Sequence, residues 1–351
     1  MQAQDKLALD PKLEVAASFD PYRPIGVSVT SNNRLFVSFP KQNKDYQYGL
    51  TEIKNGKRHP YPDAEWNISG SETIHFVNVQ DIFVDALDYL WVLDSKPSST
   101  GSIFGPSGTA TVGQFKLLKI NTHTNQIEHT YTFHDLDKAK SGLNDVRIDL
   151  EKNLAYLSDP GQAAIIILDL NTGNSRKVLE NSPFTLADPE LVISYSGVAM
   201  RNQEGKPFLS NVNGIALTHD FEYLYFKPIN KNHLYRIATK YLADTALSQP
   251  ELQHKVEDMG YVGVTHGLLA DHNNNIYLTT SVDYSIKYLS PDGQLHTLVQ
   301  DPRILWPDSL GIGGNGYLYF SCAQLSRDPQ WNNGVNRVEL PYHVFKVKVP
   351  N

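Results

Sequence analysis

Cysteine is almost missing: Cys322 is the single one in 351 residues. No internal disulfide can form, and a cysteine-ligated metal site is excluded. This leaves the compartment open, because a chain of this length buries enough apolar surface to need no staple. Long apolar runs are missing too. No segment reaches the roughly 18 residues of a membrane-spanning helix, and the opening MQAQDKLALDPKLEV lacks a basic segment followed by an apolar one. The expectation is a cytoplasmic protein, or one whose signal peptide has been removed. Positive charge is in deficit: 31 Lys and Arg against 38 Asp and Glu leave −7. Such a chain lacks the basic field that nucleic acid requires, and it disfavours anionic membranes. No phosphate-binding loop, nucleophile elbow or zinc motif occurs.

What is abundant points to strands. The chain holds 19 Tyr, 14 Phe, 23 Gly and 20 Pro but only three Met. Aromatic rings pack well on a pleated surface. A short aromatic strand recurs six times: LFVSF at 35–39, LWVLD at 90–94, AYLSD at 155–159, YLYFK at 223–227, IYLTT at 276–280 and YLYFS at 317–321. An apolar strand and a polar connector precede each copy, as in DIFVD-ALDY-LWVLD and GLLAD-HNNN-IYLTT. Asn, Asp and Gly in these connectors supply the positive φ that tight hairpins need. A third strand usually follows, such as FKLLKIN at 115–121 or IIILDL at 165–170, and often a fourth, such as SRKVLE or LHTLVQ. Four antiparallel strands repeated six times predict an all-β, six-bladed β-propeller forming one domain over 1–351. The alternative is two β-sandwiches of three hairpins each, which would not keep the same phrase and connector six times. Blade six runs out after its third strand at 342–348, so KLEVAASFD at 12–20 is expected to supply the missing outer strand. Residues 1–11 then read as a flexible extension. Longer insertions fall at 95–113, 181–210 and 324–340, and 240–258 is the best helix candidate, interrupted by Pro250.

The residues just before the innermost strands ring one mouth of a propeller channel. They are Gln80-Asp81, Asn144-Asp145, Asn213-Gly214, His266-Gly267 and Asp308-Ser309, with Pro24-Ile25-Gly26 in blade one. Asn and Asp at such places also cap turns. As a set they predict a polar ligand site at a concave mouth. Gln80, Asn144, Asp145, Asn213, His266, Asp308 and Trp306 are the candidate ligand-binding residues. His266 and Asp308 are candidate bases for proton transfer. Among the tryptophans, Trp66, Trp91, Trp306 and Trp331 read mainly as core, with Trp306 and Trp331 placed to wall an aromatic pocket. His123, His129 and His134 lack metal spacing and read as surface, and the sequon Asn67-Ile68-Ser69 reads as chance.

The phrases VNVQDIFVDALDYLWVLD, GLNDVRIDLEKNLAYLSDP, NVNGIALTHDFEYLYF, IYLTTSVDYSI and WPDSLGIGGNGYLYFSCAQL resemble the Yellow/major royal jelly protein family in its bacterial branch, from about residue 20 to the C-terminus. That resemblance implies a six-bladed propeller and a secreted or periplasmic location. Some insect members bind biogenic amines, some are linked to dopachrome conversion, and some are nutritive. A more distant resemblance is to gluconolactonase/regucalcin propellers, which carry a divalent metal ion in the central channel. Asn213-Gly214 matches the metal-ligand position of blade four, and Asn144-Asp145 the substrate-touching pair of blade three. His266 stands where that family has Asp in blade five, and no Glu lies near Pro24. The resemblance implies Asn213 and His266 as metal ligands, weakened by the loss of two carboxylates that a hard cation wants. Three readings follow: a propeller binding a small amine, aromatic or catechol-like ligand; an enzyme, either tautomerase-like or a metal-dependent lactone hydrolase; and a scaffold for a protein partner.

Overall fold

Residues 7–41, 47–68, 70–71, 73–95 and 115–350 are described in the computed structural model. The repeated phrase forms a repeated sheet. Six sheets have four antiparallel strands each, in sequential order in all but the last, whose outer strand comes from the N-terminal end of the chain. The innermost strands are Val27–Val29, Val79–Val84, Val146–Asp149, Val212–Leu217, Thr265–Ala270 and Pro307–Ile312, in blades one to six. Each packs on the next, and the last packs on the first, which closes a ring. Layered sandwiches are thereby excluded.

The connectors explain the regularity. Asp85, Asp149 and Asp271 each accept two backbone N–H bonds within their own hairpin turn. The second carboxylate oxygen then takes a bond from the aromatic residue of the following strand: Trp91 Nε1 at 2.8 Å, Tyr156 Oη at 3.1 Å and Tyr277 Oη at 3.1 Å. Asn33, Asp88, Asn153 and Asn274 adopt positive φ in these turns. The aromatic strand is thus tied to its own turn while its apolar face packs between blades. Trp91, Leu93, Ile148 and Leu157 bury together between blades two and three.

Glu14–Phe19 completes blade six by pairing antiparallel with Tyr342–Lys348, with Phe19 opposite Tyr342. A Glu14–Lys346 ion pair of 3.1 Å reinforces this register. Of the extension expected over 1–11, residues 1–6 lie outside the described residues. From Leu7 the chain packs on blades five and six, and the Asp10 N–H donates to Asp301 Oδ2 at 2.8 Å.

The helix expected over 240–258 is two short helices, Thr239–Ala243 and Gln249–Gln253, followed by the outer strand Glu257–Tyr261. Pro250 sits in the first turn of the second helix, where its missing N–H costs nothing, and Ser248 with Glu251 forms a capping box. Pro250 therefore helps to start a helix. The 181–210 insertion carries a small hairpin, Ser194–Tyr195 with Val198–Ala199. The 324–340 loop holds two single-turn 3₁₀ helices. Of the 95–113 insertion, 96–113 lie outside the described residues. His123, His129 and His134 are exposed.

Candidate functional site

The candidate residues were expected just before the innermost strands. Asn144 and Asp145 are there, as are Trp306 and the blade-one residues Pro24-Ile25-Gly26; Gln80, Asn213, His266 and Asp308 lie within the strands, at irregularities of the ladder. Register shifts fall between Val79 and Asp81, Val212 and Gly214, Thr265 and Leu268, and Pro307 and Leu310. A bulge adds a residue and re-aims its side chain. Gln80, Asn213, His266 and Asp308 each occupy such a bulge. Two glycines make the crowding possible. A Cβ on Gly214 would lie 2.1 Å from the His266 carbonyl oxygen, and one on Gly267 would lie 2.1 Å from that of Asp308. The segments leading into these strands are fixed from below. Asp94, at the end of LWVLD, accepts the backbone N–H groups of Val77 and Asn78. Asp159, at the end of AYLSD, accepts Gly142 N–H and Ser141 Oγ–H.

A polar group assembles on the axis from blades two, three and six. Gln80 Nε2 donates to Asn144 Oδ1 at 3.1 Å, and Asn144 Nδ2 donates to Asp145 Oδ1 at 2.7 Å. Asp81 Oδ2 accepts Val146 N–H at 3.1 Å and Arg147 Nη1 at 3.2 Å. Ser309 Oγ reaches Asp81 Oδ1 at 3.4 Å. Arg147 crosses the axis to donate from Nη2 to the Leu268 carbonyl at 2.7 Å, so one guanidinium joins blades two, three and five. It forms a floor. Beneath it opens a depression of about 370 Å³ lined by one inner-strand residue or more from every blade, among them Ser28, Phe83, Leu217, Leu269 and Gly311.

Burial sets the electrostatics of the chamber above that floor. It pushes Asp308 up to about 7, helped by repulsion from Asp81. Burial also holds Asp145 well above the usual carboxylate range, with Asp81 and Asp308 adding to the rise. Asp81 is raised by burial as well, against the pull of Arg147. Three carboxylates thus feel one another, and Arg147 is bonded to one of them, Asp81.

His266 belongs to a second cluster. Its Nε2 lies 2.6 Å from Ser281 Oγ and 3.4 Å from Tyr195 Oη, and those two oxygens are 2.6 Å apart. Its ring stacks on Trp306 at 4.0 Å between centroids. Burial and the neighbouring Lys227 ammonium hold the imidazole well below its ordinary value, so it is neutral near pH 7. The Trp306 indole N–H is buried without a hydrogen-bond partner among the described residues, near enough to Asp308 to pull slightly against the rise of its carboxyl. Asn213 Nδ2 and His266 Nδ1 are buried without a partner among the described residues.

The set read from sequence therefore divides. Gln80, Asn144, Asp145 and Asp308 share the axial chamber; His266 and Trp306 stand beside it under the 181–210 hairpin. Asn213 and His266, the expected metal ligands, bring no carboxylate to the site. Among the described residues no group of three or more His, Cys, Asp or Glu could hold an ion. The nitrogen that His266 could offer on one side is engaged by Ser281 and Tyr195, and Asn213 brings no charge. The residues present do not fit a gluconolactonase-type divalent cation. Sequence reasoning missed Arg147, Ser281 and Tyr195. An arginine inside DVRID, on a channel-lining strand, was the available signal for the first. Tyr195 lies in an insertion, where no periodicity points.

Ring, bulged inner strands and a polar cluster on the axis define a six-bladed propeller with a candidate polar site. The chain belongs to the major royal jelly protein family, whose model matches residues 77–333. None of the curated proteins matches it. Among solved structures, it is similar to a gluconolactonase from Xanthomonas campestris, at 12% identity and a TM-score of 0.55, covering 96% of this chain and 91% of that one. A catalytically inactive virginiamycin B lyase from Staphylococcus aureus with quinupristin shows 11% identity and a TM-score of 0.53, covering 97% and 99%. A luciferin-regenerating enzyme shows 12% identity and a TM-score of 0.55, covering 97% and 96%. At such identities they share the fold alone. No helix among the described residues is long and apolar enough to cross a membrane.

Proposed function

We propose that the protein is a secreted or periplasmic binder of a small aromatic amine, held in the axial chamber with its ammonium against Asp308 and Asp145. The observation that carries this reading is the group of three aspartates, Asp81 buried and Asp145 and Asp308 half-buried, of which Asp81 alone has a cation bonded to it among the described residues. A bound ammonium relieves the repulsion that raises Asp145 and Asp308. Gln80 and Asn144 offer amide groups to a hydroxyl. Membership of the family supports the reading.

Titration calorimetry with tyramine tests it. Asp308 must be ionised to hold the amine, so affinity is high at pH 8 and falls as pH drops through about 7. Asp308→Asn weakens binding at pH 8 at least about tenfold, the worth of one charge-assisted bond. Absence of heat with tyramine and dopamine, or equal affinity in the variant, overturns the proposal and leaves a scaffold for a protein partner.

One observation favours an enzymatic reading. A carboxyl near 7 suits proton transfer at neutral pH, so Asp308 could move a proton during a keto–enol tautomerisation. Turnover of phenylpyruvate tautomers by the wild type, lost in Asp308→Asn, would establish it. His266, neutral and bonded to Ser281, would then orient substrate.

A further inference from the structure

We propose a second small-molecule site, outside the axial chamber, that takes a planar aromatic carboxylate. It is a cavity of about 310 Å³ roofed by the two insertions, with Tyr195, Tyr284, Leu305, Trp306, Trp331 and Arg337 in its lining. That volume is at the small end for ligand pockets and suits one or two rings.

Its walls are rigid and aromatic. Tyr195 tilts against Trp306 at 5.8 Å, and Phe208 meets both Trp306 and Trp331 edge-on, at 5.4 and 5.6 Å. The 194–199 hairpin is tied down at two points. Tyr195 Oη lies 2.6 Å from Ser281 Oγ, and Ser196 Oγ lies 2.7 Å from Tyr284 Oη. The opposite wall is held by Arg327. Its carbonyl accepts the Arg337 N–H at 2.9 Å, and its guanidinium pairs with Glu339.

Charge decides the ligand class. Glu339 and Arg327 neutralise each other, so the uncompensated group on this wall is the Arg337 guanidinium, which has no ion pair among the described residues. A planar guanidinium matches a carboxylate in bidentate fashion, and flat aromatic walls select a ring. The sign is opposite to that of the axial chamber, so the two sites discriminate between an arylalkylamine and the corresponding arylalkanoate. Tyr195 stands between them, lining this cavity while its hydroxyl reaches His266.

The test is titration calorimetry with 4-hydroxyphenylacetate, 4-ethylphenol and tyramine on the wild-type protein and on Arg337→Glu, Arg337→Lys and Trp331→Ala. The carboxylate binds the wild type, 4-ethylphenol binds at least tenfold more weakly, and Arg337→Glu weakens the carboxylate at least tenfold. Arg337→Lys retains part of the affinity, and Trp331→Ala loses it. Tyramine binding is the same in wild type and Arg337→Glu, since Arg337 lies outside the axial chamber. No carboxylate binding, equal binding of 4-ethylphenol, or indifference to Arg337→Glu overturns the second site. Tyramine on the wild type reports separately on the axial site, so failure of one leaves the other standing.

Discussion

Replacing Asp308 by asparagine keeps the shape of the side chain and removes its charge. The carboxyl moves from an ordinary 3.8 to about 7 on folding, and each tenfold change in proton affinity is worth about 1.4 kcal/mol. Above pH 7 the folded protein holds an ionised Asp308 at a cost of about 4 kcal/mol relative to the unfolded chain. The sign follows from the direction. A carboxyl raised on folding binds its proton more tightly in the native state, so stability is lost as pH climbs from 3.8 towards about 7 and is level beyond. Asp308→Asn therefore stabilises by about 4 kcal/mol at pH 8 but only about 1.5 kcal/mol at pH 5, where the native carboxyl is already protonated. For a chain of 351 residues the gain at pH 8 corresponds to roughly 5 °C in melting temperature. Urea titrations of both proteins at the two pH values measure it. An equal gain at both, or a loss at pH 8, refutes the argument that burial and Asp81 raise this carboxyl.

The same geometry makes other predictions. Arg147→Ala leaves Asp81 buried without its cation and destabilises by about 3–5 kcal/mol in urea unfolding; adding Asp81→Asn restores much of that loss. Gly214→Ala and Gly267→Ala drive a methyl into the carbonyl of the adjacent blade, so each lowers stability by more than about 3 kcal/mol, read as a fall in melting temperature or in folded yield. Asn67 is buried and its amide makes four bonds, accepting Gly49 and Leu50 N–H and donating to the Tyr61 and Asp63 carbonyls. Expression in a glycosylating host leaves Asn67 bare by peptide mass spectrometry; a glycan there would show that this segment opens before it folds.

Much of the ring is legible in the sequence because one strand–connector–strand phrase is used six times. In three blades a connector Asp turns the chain and an aromatic residue in the next strand bonds back to it, so the phrase survives in letters. The closing strand is legible for the same reason, since KLEVAASFD alternates as an outer strand should. The axial residues are legible by position, as a polar residue at or just before the start of five of the six inner strands, but their directions are not. Bulges decide whether Asp308 joins Asp145 or whether His266 turns to Ser281, and no single residue type announces a bulge. Arg147 and Tyr195 show two further limits. One reaches across the axis from blade three to blade five. The other comes from a hairpin whose place depends on the blades it covers.

Blade six joins Glu14–Phe19 to strands more than three hundred residues further along the chain. During synthesis the ribosome releases the early blades as an unfinished arc, its first inner strand waiting for a neighbour. The annulus locks only when the last strand emerges. A stop codon after blade five but before residue 342 thus yields an open crescent, with the Arg147 floor in place but its wall incomplete.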